Sequence, residues 1–289
     1  MEKTRIVNLK NGYNVWTRKI GTGNIPIVLV HGGPGMTHEY LAPFKDNIDL
    51  QKYSILLYDQ LGSYFSDQPN DISLWDIKRF CDELDEVRSA WKFKRFVLYG
   101  QSFGGMVALE YATKYTSNLY GVIISNMVDS VEKYRKRLYE IRDSFGSKAA
   151  KLIINCENNN DLYNEQYRFY VNKMYKEFFC RQIPWPTVLS DSLQHANFSI
   201  VKEVFGLKEF DITGNAKDWT VENQISDINV PVLLMSSKYD TMNPYDVKKM
   251  SDKMSNASLF ISMVGSHLAI LDDTKSYFKA INEWLDKNY

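Results

Sequence analysis

The sequence predicts an α/β protein in which a mostly parallel sheet of eight strands carries helices on both faces and is interrupted by one helical insertion. Three observations predict it. Short β-branched runs bounded by turn residues recur along the chain, helical patterns separate them, and in one long block the strand signal vanishes. In chain order, Thr4 to Leu9 and Val15 to Ile20 alternate on either side of Asn11-Gly12, a hairpin signature. The runs Pro26 to Val30, Ser54 to Tyr58, Arg95 to Tyr99 and Gly121 to Ser125 read as buried strands. Ser102 to Tyr115 carries Met106, Leu109 and Tyr111, is too long for a strand and holds no proline, so it reads as a helix. After Met127 the pattern changes: Tyr134, Leu138, Ile141 and Phe145, then Tyr167, Val171, Met174 and Phe178, recur at helical spacing. Strands return at Val230 to Met235 and Ser258 to Ser262, and a helix over Tyr277 to Leu285 closes the pattern. Residues 1–128 and 220–289 are therefore expected to form the core domain, with 129–219 a helical cap in which the polar stretch Glu157 to Asp161 is a loop.

At 289 residues the chain exceeds what one small core needs and suits one large α/β domain with an insertion. Thirty-five basic residues balance 35 acidic ones, so no overall field draws it to nucleic acid or to an anionic membrane. Cys81, Cys156 and Cys180 are widely spaced and form no C-x-x-C pair, which argues against a disulfide framework and a zinc cage. No metal or other cofactor is expected. The opening MEKTRIVNLK lacks the apolar core of a signal peptide, and the longest clean apolar run is IPIVLV, so a cytoplasmic protein is expected. Oligomeric state is left open, a monomer being sufficient.

The chemistry concentrates in two glycine-rich junctions. Gly100-Gln101-Ser102-Phe103-Gly104 lies between an expected strand and an expected helix, the context of a nucleophile elbow. A hydroxyl nucleophile must protrude from a crowded turn, and small residues two before and two after it let strand and helix approach. Upstream, the strand IPIVLV runs into His31-Gly32-Gly33-Pro34-Gly35, whose glycines leave backbone N–H groups free to face an anion. Gly33 and Phe103 are the expected oxyanion donors, Phe103 because it follows Ser102 at a helix N-terminus. His31 reads as a structural residue of that loop. Among the other histidines, His38 precedes the nucleophile and His195 falls in the insertion, which leaves His267, just past a strand, as the favoured base. Asp240, after the strand Val230 to Met235 and a turn Ser236 to Tyr239, is the favoured orienter, with Asp246, Asp272 and Asp273 as competitors in expected helices. The order Ser102, Asp240, His267 is the triad order of α/β-hydrolases.

These residues together resemble the proline iminopeptidase family of α/β-hydrolases, in particular its tricorn-interacting aminopeptidase branch, almost end to end. HGGPG resembles the family's oxyanion loop, Tyr58-Asp59-Gln60-Leu61-Gly62 its DQ-x-G turn and GQSFGG its elbow. Trp185-Pro186, Glu209 to Gly214 and Lys217-Asp218-Trp219 resemble its cap return. The resemblance implies removal of an N-terminal residue, often proline, from a short peptide, or hydrolysis of an amino-acid amide. It also implies a cap acid that reads the free amine, and the match falls on Glu209, whose plainer reading is a solvated cap carboxylate. Two positions depart from the pattern. Thr241 stands where a second acid commonly follows the triad aspartate, and Tyr64 replaces a common glycine in the DQ turn, where it would narrow the pocket. An amidase, esterase or lactonase on the same triad is the alternative, and a catalytically silent binding protein a more distant one. The cap aromatics Tyr167, Tyr170, Phe178, Phe179, Trp185 and Phe205 either line a pocket or simply pack.

Overall fold

The computed structural model describes residues 1–289. The hairpin around Asn11-Gly12 is formed by β1 (Glu2–Asn8) and β2 (Asn14–Ile20), paired antiparallel from Glu2↔Ile20 to Asn8↔Asn14. The other strands are β3 (Ile25–Val30), β4 (Tyr53–Tyr58), β5 (Phe96–Gln101), β6 (Leu119–Ser125), β7 (Val232–Tyr239) and β8 (Ala257–Ser266). They make one eight-stranded sheet in the order β1-β2-β4-β3-β5-β6-β7-β8, parallel from β4 to β8. Strand alternation divides the core into two layers. Val28, Val30, Leu56, Tyr58 and Leu98 face one apolar cluster, while Ile27, Leu29, Ile55, Leu57 and Tyr99 face the other. Both faces of the central strands are covered, which is why those runs are apolar throughout rather than alternating.

The helices complete the layers: α1 (Phe44–Asn47), α2 (Ile77–Ala90) and α3 (Phe103–Lys114) come before β6. The amphipathic α2 buries Phe80, Cys81, Leu84 and Val87, and its Asp76 cap accepts from the Lys78 N–H. Between β6 and β7 the chain is helical: α4 (Val131–Ser144), α5 (Ser147–Asn158), α6 (Glu165–Met174), a π-helical turn (Tyr175–Phe179), α7 (Thr187–Gln194) and α8 (Phe198–Val204). This excursion leaves and rejoins the sheet at one place, where Ser130 and Thr220 form an isolated antiparallel bridge. The chain ends with α9 (Pro244–Asp252), α10 (Ala269–Asp272) and α11 (Thr274–Asn288).

Two local expectations need correction. No turn separates Met235 from Asp240, because β7 continues to Tyr239 and Ser236 and Ser237, both buried, pair with Ile261 and Ser262 of β8. The polar stretch Glu157 to Asp161 is not all loop either. Helix α5 runs to Asn158, and Glu157 is buried because its carboxylate accepts from Tyr167 Oη at 3.1 Å and from the Phe210 N–H at 3.0 Å.

At the crossing of β5, α3 and β3 backbone packs directly on backbone. A Cβ at Gly100 would lie 2.1 Å from the Gly104 carbonyl oxygen, and one at Gly104 would lie 2.1 Å from the Val30 carbonyl oxygen. Neither backbone can yield without moving a central strand. Gly104→Ala is therefore expected to destabilise the protein by at least about 1–3 kcal/mol. Thermal denaturation checks this, and a melting temperature equal to wild type would mean that α3 has room to move.

Candidate active site

The turn from β5 into α3 forces Ser102 into φ 54°, ψ −123°, a strained conformation for a residue with a side chain. The backbone is held there by Ser102 N–H donating to the Ser125 carbonyl at 3.0 Å and by the Met106 N–H reaching the Ser102 carbonyl at 3.1 Å. The Ser102 hydroxyl lies 2.9 Å from His267 Nε2. His267 Nδ1 is 2.8 Å from Asp240 Oδ1 and 3.0 Å from Thr241 Oγ1. The strand ends bring these groups together: Asp240 directly follows β7 and His267 directly follows β8. The competing acids lie elsewhere. Asp272 accepts from the Ser266 and Arg181 N–H groups, Asp273 accepts from Ser262, and Asp246 faces Lys249.

Asp240 is fully buried and its carboxylate is saturated on both oxygens. Oδ1 also accepts from the Met242 N–H at 3.0 Å, and Oδ2 accepts from Asn126 Nδ2 at 2.6 Å. His267 is positioned by its backbone: its N–H donates to the Phe178 carbonyl at 2.9 Å, and its own carbonyl accepts from Gln101 Nε2 at 3.0 Å. The Phe179 ring stacks on the imidazole with centroids 5.8 Å apart.

The glycine-rich loop is fixed from below. Buried His31 has Nδ1 2.8 Å from the Gly32 carbonyl, while its Nε2 accepts from the Gln60 N–H at 3.1 Å. Its place is structural, as the sequence suggests. Tyr40 Oη accepts from the Gly32 N–H at 2.6 Å and donates to Gln101 Oε1 at 2.8 Å, linking this loop to the elbow. Gly33 has φ 117° and lines the cavity beside Ser102, and its N–H has no backbone acceptor. The Phe103 N–H opens α3, where the first turn leaves donors without intrahelical partners.

Above Ser102 is a cavity of about 160 Å³, similar to the roughly 150 Å³ that accommodates a single benzene ring. Its apolar wall includes Tyr134, Leu138, Met174, Phe179 and Phe205, all from the helical excursion. Glu209 is also on the wall, half-buried, with Tyr175 Oη donating to its Oε2 at 2.8 Å. Burial pushes the Glu209 carboxyl above the usual carboxylate range, the Tyr175 hydrogen bond opposes this, and neighbouring Glu157 adds to it. Of the cap aromatics named from the sequence, Phe179 and Phe205 line the cavity. Tyr167 is buried as packing and receives the Glu209 N–H at 3.3 Å.

Thr241 lines the cavity and touches the imidazole, whereas Tyr64 does not narrow the site. It is exposed and stacks on His195 with centroids 4.1 Å apart, and His195 is tied to Glu39 at 2.8 Å. Sequence reading missed Tyr134, Tyr175 and Asn126. Tyr175 carried a usable signal, since Tyr167, Val171 and Tyr175 are spaced four apart on one helical stripe. Asn126 carried none, because an asparagine after a strand reads as a turn. No group of three or more His, Cys, Asp or Glu side chains is arranged to hold a metal ion, and no helix is long and apolar enough to cross a membrane.

Comparison with known proteins identifies the family. Residues 25–274 match the family model for the alpha/beta hydrolase fold. The chain is 36% identical over 279 residues to a proline iminopeptidase of Flavobacterium johnsoniae, covering 95% of this chain and 94% of that one. It is 34% identical to a proline iminopeptidase of Elizabethkingia meningoseptica, with 94% of each covered. The crystal structure of a Mycobacterium smegmatis proline iminopeptidase superposes with a TM-score of 0.90 at 22% identity, covering 99% of this chain and 98% of that one, which establishes likeness of fold. Sequence and fold agree that this chain belongs to the proline iminopeptidase family of α/β-hydrolases, enzymes that act on peptide bonds.

Proposed function

We propose that the protein releases an N-terminal residue, proline or another small apolar residue, from short peptides or amino-acid amides by covalent serine catalysis. The observation that carries this reading is the line from Ser102 through His267 to Asp240 at 2.9 and 2.8 Å, opening on a cavity whose wall includes Glu209. In this reading 129–219 serve as a cap over a core made of 1–128 and 220–289. Ser102 Oγ attacks the scissile carbonyl while His267 Nε2 takes its proton. The oxyanion is met by the Gly33 and Phe103 N–H groups, such donors being worth about 3–4 kcal/mol each in the transition state. His267 then passes the proton to the leaving amine, and water repeats the sequence on the acyl-enzyme. Asp240 holds the imidazole tautomer and stabilises the imidazolium.

Glu209 is assigned to the substrate ammonium. An ammonium carried into this cavity without a counter-charge would cost several kcal/mol, and the partly desolvated carboxylate supplies one. A second reading, an amino-acid amidase or esterase on the same triad, is favoured by Thr241, which leaves the amine end of the site with one fewer acid than the family pattern. Comparing a Pro-arylamide with its N-acetylated twin and with a neutral acetyl ester separates the two readings.

Ser102→Ala is expected to retain substrate binding while losing on the order of 10⁴-fold or more in kcat; turnover near wild type in a pure preparation would remove Ser102 from the mechanism. Glu209→Gln is expected to lower kcat/KM on amine-bearing substrates by about 10- to 150-fold, or about 1.5–3 kcal/mol, and to spare neutral esters. Equal losses on both substrate classes would assign Glu209 a structural role.

The raised Glu209 carboxyl adds a pH dependence. As pH falls through its elevated pKa the acid becomes neutral and the ammonium loses its partner. The kcat/KM ratio of amine-bearing to neutral substrate should therefore fall on the acid side, at a pH above the ordinary Glu value of about 4.3. Any pH dependence of the catalytic step common to both substrates cancels in this ratio. A ratio flat down to pH 4.5 would show that Glu209 does not bind the amine.

A further inference from the structure

The acid Asp240 is not the end of the buried polar chain. Behind it, Asn126 lies just past β6, is buried, and has φ 54°. This left-handed conformation suits Asn better than most residues, and it is held by the Asn126 N–H donating to the Met235 carbonyl at 2.8 Å. The side-chain amide faces both ways. Its Nδ2 donates to Asp240 Oδ2 at 2.6 Å, and its Oδ1 accepts from Ser125 Oγ at 2.5 Å. Ser125 Oγ in turn accepts from Tyr277 Oη at 2.8 Å, and Tyr277 Oη lies 2.7 Å from Tyr99 Oη.

The donor directions are determined along this chain. Ionised Asp240 can only accept, so the Asn126 NH₂ must face it. That orientation leaves the Asn126 carbonyl oxygen facing Ser125, so Ser125 must donate, and its oxygen is then free to accept from Tyr277. An amide flip would bring a carbonyl oxygen within 2.6 Å of a carboxylate oxygen and would be repulsive. Ser125, Tyr99 and Tyr277 are all buried, so water cannot easily substitute for any member.

We infer that Asn126 is a positioning residue of the hydrolytic machinery: its amide, locked by Ser125 and Tyr277, donates to Asp240 Oδ2 and so presents Oδ1 to the His267 imidazole. The inference rests on the Ser102–His267–Asp240 reading given above. The role requires a hydrogen-bond donor at this place, beyond a side chain that fills the space, and that requirement can be tested. The ionisable groups that face Asn126, directly or through its partners, are Asp240 after β7, His267 after β8, Tyr277 of α11 and Tyr99 of β5. Arg137 of α4 donates to the Asp240 carbonyl at 3.2 Å.

Two substitutions compatible with the backbone carry the test. Asn126→Gly keeps the positive φ and deletes the amide. It should lower kcat by about 10- to 100-fold, a typical consequence of misplacing a catalytic group, with KM within about twofold and equal losses on amine-bearing and neutral substrates. Asn126→Asp is nearly isosteric and can donate only when protonated. Sharing one proton with Asp240, it should retain kcat within a few-fold of wild type near pH 6 and lose activity as pH rises and that proton leaves. The comparison is made on the neutral ester, which carries no titrating amine, so that an alkaline loss in Asn126→Asp beyond that of wild type reports the shared proton. A profile for Asn126→Asp that parallels wild type, or an Asn126→Gly kcat within twofold of wild type, would overturn the inference. Should Asn126→Gly fail to fold, the Asn126→Asp profile decides alone. Ser102→Ala measured alongside separates the two levels. If it is inert while Asn126→Asp follows wild type, only the role of Asn126 fails. If it retains turnover, the triad reading itself fails.

Discussion

The closeness with which the start of α3 approaches β3 and β5 sets the geometry of the site. At Gly100 and Gly104 backbone meets backbone, with no space for a single methyl group. Bringing strand and helix this close requires a turn too sharp for ordinary φ/ψ values, and Ser102 absorbs the strain at φ 54°. Its hydroxyl is thereby lifted out of the turn toward His267. The adjoining loop is braced to match: Tyr40 joins the Gly32 N–H to Gln101, and Gln101 continues to the His267 carbonyl. Ser102, His267 and the glycine-rich loop are thus tied together by close backbone contacts and by the Tyr40 and Gln101 side chains.

Around that fixed centre the electrostatics are supplied by burial. Asp240 is fully buried yet has both carboxylate oxygens satisfied, which allows an ion to persist where an unpaired one would be costly. Glu209 differs. It has one hydrogen bond from Tyr175 and a partly desolvated carboxylate whose charge the protein compensates poorly. One acid is completed by the fold; in the proposed reading the other is completed by the substrate.

The sequence revealed those parts of the site that depend on backbone geometry. Gly100, Gly104 and the HGGPG loop are legible because few residues other than glycine fit there, and Asp240 and His267 because parallel strands deliver their carboxyl ends to one edge. The end of β7 was misread, since Ser236-Ser237-Lys238 has turn composition and only its pairing with β8 makes it strand. Tyr64 was misjudged for a related reason: its direction is set by stacking on His195, a contact across 131 positions of sequence. Asn126 and the Thr241 contact with His267 are tertiary facts, invisible to composition or periodicity in any one segment, whereas Tyr175 lies on a legible helical stripe and only its pairing with Glu209 is tertiary. The cap aromatics illustrate the same limit, since helical spacing shows that a ring is buried without showing whether it faces a cavity.

The π-helical turn at Tyr175–Phe179 belongs to both halves of the molecule. Its Tyr175 hydroxyl holds Glu209, its Phe178 and Phe179 carbonyls accept from the His267 and Leu268 N–H groups at 2.9 Å, and Phe179 also accepts from Ser266 Oγ at 2.8 Å. In lineages of this architecture, therefore, the helical excursion is not a module to be exchanged freely at its two ends. A transplanted excursion must bring a turn that fits the recipient's histidine loop, or it leaves that loop without these hydrogen bonds. In this chain residues 175–180 and 266–268 thus form one structural unit, although 85 positions separate the two segments.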